Sequence, residues 1–152
     1  MLTIDTRHFG TLEYEPAAVL EFAEGLYAFE DQKEFLLIEQ PTSAPIVFLQ
    51  SLREPGLSFM ALPVQVADPA YRLALPEEDS RALGFPDGYA PQLGRDIVGL
   101  VLLAVGPDQR ATCNFLAPIV INHTRRCGRQ VIQFDSGYSH QHVLSAVEAE
   151  CC

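Results

Sequence analysis

The run IVGLVLLAV, Ile97–Val105, is apolar at all nine positions. A strand with one wet face alternates apolar and polar residues, and a surface helix carries a polar stripe; this run does neither. It is too short to cross a bilayer, which takes about 20 residues as a helix. What remains is a strand covered on both faces, around which the rest of the chain must close.

The flanking sequence can enclose it only in short pieces. Residues 2–6, 10–15 and 18–22 read as strands, with Glu15–Pro16 and Glu24–Gly25 as breakers. FLLIE (35–39), IVFLQSL (46–52) and LSFMALPVQV (57–66) follow, with Pro63 marking an edge or bulge. Residues 115–122 and 129–134 read as a hairpin whose turn contains Gly128. One helix is expected in PEEDSRALG: Pro76 suits the first helical position, Glu77, Glu78 and Asp79 the positive end of the dipole, and Gly84 the stop. A shorter helical turn fits FEDQKE, 29–34. No period repeats and no linker divides the chain. The expected fold is mainly β: a small β-barrel-like single domain with one or two short helices, closed because closure removes sticky edges. The domain is expected over residues 1–140, with 141–152 as a frayed tail.

Charge narrows the functional classes. The formal net charge is −10, and residues 1–90 hold 15 acidic and 5 basic side chains against five of each in 91–152. Nucleic-acid affinity rests on neutralising phosphates with Lys and Arg, so direct nucleic-acid binding is not expected. An acidic surface attracts and steers a basic protein partner, or simply keeps the protein soluble. The start, MLTIDTRHFG, lacks a basic region followed by an apolar stretch and a cleavage site. The expectation is a soluble, cytoplasmic chain with no membrane contact.

Chemistry is hard to find. GxSxG, HExxH, P-loop and GxGxxG patterns are missing, and His8, His123, His140 and His142 are scattered. Cys113, His123 and Cys127 invite a zinc reading, but no CxxC pair or obvious fourth ligand accompanies them. The plainer reading is a buried thiol at Cys113 and a turn thiol at Cys127. No cofactor, no metal and no enzymatic activity are expected. The alternative kept open is a small β-barrel that binds a metal or small molecule, as an enzyme or otherwise, with Cys113 and His123 converging in a cavity.

Several stretches in fixed order resemble the FliW family of flagellar assembly factors over roughly residues 3–134. They are TRHFGTLEYEP, FAEGLYAFEDQKEFLLIE, FLQSL (48–52), LPEED (75–79), TCNFLAPIVIN and GRQVI. The resemblance implies a non-catalytic, β-barrel-like protein that binds flagellin and the RNA-binding translational regulator CsrA. On that scheme flagellin in the cytoplasm occupies the factor, and its export frees the factor to bind CsrA and relieve repression of flagellin translation. Two positions depart from the family's pattern: Ala28 stands where a glycine is usual, and Phe48 where tryptophan often precedes LQS. Alanine in a left-handed turn costs more than glycine, so the turn around Ala28 is open to change.

Asp68, Tyr71, Glu77, Glu78 and Asp79 are the expected contacts for a basic regulator, with helix start and solvated surface as the competing explanation. Gln50 and Ser51 are expected in a buried hydrogen-bond arrangement. Phe115, Leu116, Ile119, Val120 and Ile121 read as barrel core, with Asn114 and Asn122 bonding open backbone groups. Arg125, Arg126 and Arg129 surround a tight turn; a solvated turn balancing nearby carboxylates is favoured over a basic spot for an acidic partner segment.

Overall fold

The computed structural model describes residues 1–144. β1 (Leu2–Thr6) and β2 (Gly10–Tyr14) form an antiparallel hairpin in which Thr6 pairs with Gly10. Thr6 Oγ1 closes its turn, donating to the Gly10 carbonyl at 2.8 Å and accepting from the Phe9 N–H at 3.0 Å. A lone hairpin is marginal in water. This one leans on the body through Phe9, edge-on to Phe48 at 5.1 Å, and through the Arg7 N–H on the Pro55 carbonyl. After a 3-10 turn at Pro16–Ala18 come β3 (Leu20–Glu21), β4 (Glu34–Glu39), β5 (Val47–Ser51) and β6 (Ser58–Pro63). Two short helices follow, α1 (Val64–Ala67) and α2 (Glu77–Ala82). The chain ends with β7 (Ile97–Val105), β8 (Ala111–Cys113), β9 (Ile119–Asn122), β10 (Cys127–Gln130) and β11 (His142–Val143).

Seven of these strands close on themselves in the order β3-β4-β5-β6-β7-β9-β10, with β10 returning to β3. Every pairing is antiparallel except that return, where Cys127 lies beside Glu21 and the Glu21 N–H donates to the Arg126 carbonyl. β7 belongs to two structures at once. Residues 97–100 pair with β9 and 100–102 with β6, while 103–105 pair with β8, which carries β11 beyond the barrel. The double cover expected of the whole apolar run therefore fails at its end, where Ala104 and Val105 are exposed.

Alternation sorts the core. Ile119 and Ile121 point into the barrel with Phe22, Phe35, Leu49 and Leu100, while Val120 packs outward with Leu83, Ile97 and Val131 beside α2. A third cluster, Leu62, Val64, Tyr71, Val101, Cys113, Phe115 and Leu144, fills the space under α1. Gln50 and Ser51 are buried as expected: Gln50 Nε2 donates to the Ser51 and Pro55 carbonyls, and the Ser51 hydroxyl to Gln32 Oε1. The two asparagines also bond backbone. Asn114 Oδ1 accepts from the Ala117 N–H, and Asn122 donates to the Leu83 carbonyl at 2.8 Å while accepting from the Arg125 N–H.

Several boundaries differ from the sequence reading. Pro63 ends β6, and Val64–Ala67 turn helical instead of continuing the strand. Only Leu20–Glu21 of 18–22 is strand, and 115–118 is irregular, with Phe115 in the cluster under α1 and not in the barrel. FEDQKE holds no helix: Phe29 bridges to Leu26, residues 30–31 turn, and Glu34 already opens β4. Pro76 is the N-cap and not the first helical residue, so α2 starts one position later than expected, while Gly84 ends it at φ +91°. Within the tail expected at 141–152, β11 and the buried Leu144 are ordered onto the domain; its remainder, 145–152, Cys151 and Cys152 included, lies outside the described residues. The β9–β10 turn is residues 123–126, so Cys127 stands in a strand and Gly128 one place further along it.

Gly128 has a different task from turning the chain. A Cβ built on it would stand 2.6 Å from Phe22 Cζ. Phe22 is fully buried in the barrel, edge-on to Phe35 at 5.4 Å, and needs the missing side chain's volume. Gly128→Ala is therefore expected to destabilise the fold by about 1–3 kcal/mol in urea unfolding, as overpacking does. Phe22→Leu in the same chain should recover part of that loss, whereas purely additive losses would place the strain elsewhere.

An acidic face held by Arg129 as the candidate functional site

α2 has six residues, too few to hold itself in water, and it is kept in place by its C-terminal end. Leu83 is buried there, and its carbonyl accepts from Asn122 Nδ2 and, at 3.4 Å, from the Cys127 thiol. At the N-terminal end the fixture is Arg129 of β10. Its Nε sits 2.6 Å from Asp79 Oδ1, and its Nη1 lies 3.6 Å from Glu24 Oε1. The bond to Asp79 raises the guanidinium pKa further above its ordinary value. One cation thus ties α2 to the loop after β3.

That loop keeps a tight backbone. Gly25 is left-handed at φ +66°, and a Cβ there would meet the Glu30 carbonyl oxygen at 2.6 Å. Ala28 is left-handed too, at φ +70°, so alanine takes up a conformation that glycine adopts at lower cost. The Leu26 and Phe29 backbones bond each other, and the Tyr27 N–H donates to Gln130 Oε1 at 2.9 Å. Burial and the neighbouring Asp79 push the Tyr27 hydroxyl's pKa up. Tyr27, Glu21, Glu24, Arg129 and Gln130 line an open recess of about 310 Å³. Its one cation is already paired to two carboxylates, so the surrounding face keeps its negative sign.

The five expected contacts do not form one patch. Glu77 and Glu78 are exposed on the first turn of α2, where Glu77 Oε1 accepts from the Gly88 N–H. Asp79 turns inward to Arg129, its side chain only 18% exposed. Asp68 stands at the end of α1, bonded to the Ala70 N–H. Tyr71 must be corrected. It is 7% exposed, stacked on Phe115 at 5.3 Å and Tyr138 at 4.4 Å, and its hydroxyl donates to the Phe115 carbonyl at 2.6 Å. It is a core residue and offers no surface to a partner. Glu24 and Tyr27 were missed, and Arg129 was read only as part of a turn, because no spacing connects residues 24, 79 and 129.

The metal alternative finds no geometry. Cys113 lies opposite Leu103 and Asn122 opposite Ile97, so Cys113 and His123 sit near opposite ends of β7, roughly 20 Å apart at the usual strand rise. His123 Nε2 instead contacts the Arg95 carbonyl at 3.0 Å. Among the described residues no three His, Cys, Asp or Glu side chains gather to hold a metal ion, and no helix is long and apolar enough to cross a membrane.

Fold and surface together define a class: a single-domain, closed β-barrel protein with an acidic outer face. Comparison with known proteins is more specific. The family description "FliW protein" matches residues 3–144. The flagellar assembly factor FliW of Moorella thermoacetica is 33% identical over 143 residues, covering 94% of this chain and 88% of that one. The factor from Leptospira biflexa is 27% identical over 150 residues, covering 97% and 94%. A crystal structure of the flagellar assembly factor FliW superposes with a TM-score of 0.80 at 29% identity, covering 93% of this chain and 95% of the other. The chain belongs to the FliW family.

Two substitutions separate fixture from surface. Asp79→Asn leaves the half-buried Arg129 with only a longer, exposed partner and is expected to cost about 1.5–3 kcal/mol of stability, against under about 0.5 kcal/mol for Glu78→Gln, both read by urea unfolding. At Tyr71, burial lifts the hydroxyl pKa well above its ordinary 10.0. The unfolded chain then ionises first, so stability is level below pH 10 and falls as pH rises beyond it. Tyr71→Phe should lose about 1 kcal/mol at neutral pH and remove part of that alkaline decline. An unchanged decline in the variant would assign it to other groups.

Proposed function

We propose that this protein is a non-catalytic, cytoplasmic flagellar assembly factor that binds flagellin and the translational regulator CsrA in alternation. Membership of the FliW family supports the assembly function. The observation that carries the regulator half is the pairing of Arg129 with Asp79 and Glu24. It uses the one positive charge of the recess internally, close on Asp79 and at 3.6 Å from the 74%-exposed Glu24, and leaves Glu77 and Glu78 exposed. An RNA-binding regulator is basic where it holds phosphates, so such a face attracts it and, once bound, repels RNA by like charge. In this reading Glu24, Glu77 and Glu78 are the regulator contacts, Asp68 stands apart at the end of α1, and Asp79 positions α2.

Association of purified CsrA, followed by surface plasmon resonance at 50 and 300 mM salt, tests the proposal. Binding should weaken with salt, the Glu77→Gln/Glu78→Gln variant should associate about tenfold more slowly at low salt, and added flagellin should displace the regulator. Salt-independent binding that the double variant leaves unchanged would remove the acidic face from the interaction.

A further inference from the structure

At the other end of α2 the surface changes sign. Residues from the α2–β7 connection and from the β9–β10 turn line a second recess of about 300 Å³, Arg95 and Arg125 among them. Acidic residues outnumber basic ones two to one in this chain, and Arg53, Arg81, Arg110 and Arg129 sit on carboxylates, while Arg7, Arg72 and Arg126 form no ion pair among the described residues and do not line this recess. Neither Arg95 nor Arg125 forms an ion pair among the described residues, although both are exposed in the same recess. Asp96, the acidic residue of the lining, is already engaged: it accepts from the Gln92 N–H at 2.8 Å and from the Tyr89 hydroxyl.

Both arginines are held from behind. Gly84 lacks a side chain where Arg125 passes; a Cβ there would stand 2.7 Å from Arg125 Cδ and 3.0 Å from its Nε. The Arg125 N–H donates to Asn122 Oδ1, and the Arg95 carbonyl is held by His123. Beside the guanidiniums lies an apolar wall, Phe85 stacked on Tyr89 at 5.9 Å, with Tyr89 42% exposed. Guanidiniums match a carboxylate, and a stacked aromatic wall matches an apolar side chain next to it.

We propose that the Arg95–Arg125 recess binds a segment of a partner protein in which an acidic residue adjoins an apolar one. Charge complementarity selects this occupant. Nucleic acid, the other polyanion that arginines serve, is repelled by the chain's charge of −10. The inference rests on this recess alone and stands apart from the regulator contact proposed for the opposite end of α2. Failure of the CsrA experiment leaves it untouched.

The probe is the blocked pentapeptide acetyl-Leu-Glu-Phe-Glu-Leu-amide, titrated into the full-length, isotope-labelled protein and followed by amide chemical shifts. Saturable shifts at Tyr89, Arg95, Thr124 and Arg125 are expected, with binding about tenfold weaker for the same peptide carrying glutamine for glutamate. Arg125→Gln and Arg95→Gln should each weaken binding about tenfold while keeping the native spectrum, and Tyr89→Ala should weaken it as well. Because Arg95→Gln alters a solvent-exposed side chain, it keeps the test valid if Arg125→Gln disturbs the turn. Shifts elsewhere, equal binding of the glutamine peptide, or unchanged binding by Arg95→Gln would overturn the proposal. Equal affinity of inorganic phosphate for the same residues would reduce the recess to a simple anion site and overturn it too.

Discussion

The barrel depends on one close approach, that of the Phe22 ring to the bare backbone of Gly128. Six of the seven strand junctions are antiparallel, and several are built by neighbours in sequence. The seventh joins β3 to β10 in parallel across more than a hundred residues of chain, with a single residue pair in register. So little backbone pairing cannot hold the closure by itself. Phe22 supplies the rest by filling the interior against Phe35, and it can do so only because β10 presents no side chain there. Once that junction shuts, β3 and β10 each have partners on both sides, and the outer faces of β7, β9 and β10 become the floor on which α2 and Leu83 rest.

How much of this was legible depends on how local the deciding physics is. The IVGLVLLAV run demanded enclosure, and its first five residues are enclosed. Its last two are not, because the barrel ends beneath them and β8 takes over the pairing, a change of partner that periodicity does not record. The acidic first turn and Gly84 located α2, since dipole and left-handed stop act within a few residues. Gly128 was placed in a turn because glycine beside three arginines looks like one. Its actual reason is a ring contributed 106 positions earlier.

The functional surface was less legible for the same reason. Negative charge at 77–79 is plain in the sequence, but which of those carboxylates face water is decided by Arg129, fifty residues on. Tyr71, an aromatic beside acidic residues, looks like an exposed anchor until Phe115 and Tyr138 arrive from distant segments and bury its ring. Of the three arginines around one turn, Arg126 donates to the Ala18 carbonyl and Arg129 pairs with carboxylates, while Arg125 alone lies along Gly84 toward open solvent. Equal residues in sequence acquire unequal duties from their neighbours in space.

α2 spans only about 9 Å at the helical rise, so the acidic face at its start and the arginine recess at its end lie about one Debye length apart. Charges that close are still felt across the helix. An acidic segment seated on Arg95 and Arg125 would neutralise positive potential near Glu77 and Glu78, and so would strengthen, not weaken, the hold on a basic partner there. Electrostatics from the recess therefore cannot drive release of a basic regulator. If flagellin displaces that regulator, it must do so by covering Glu24, Glu77 and Glu78 themselves or by shifting α2, and shifting α2 means breaking the Arg129–Asp79 bond and the contacts that clamp Leu83.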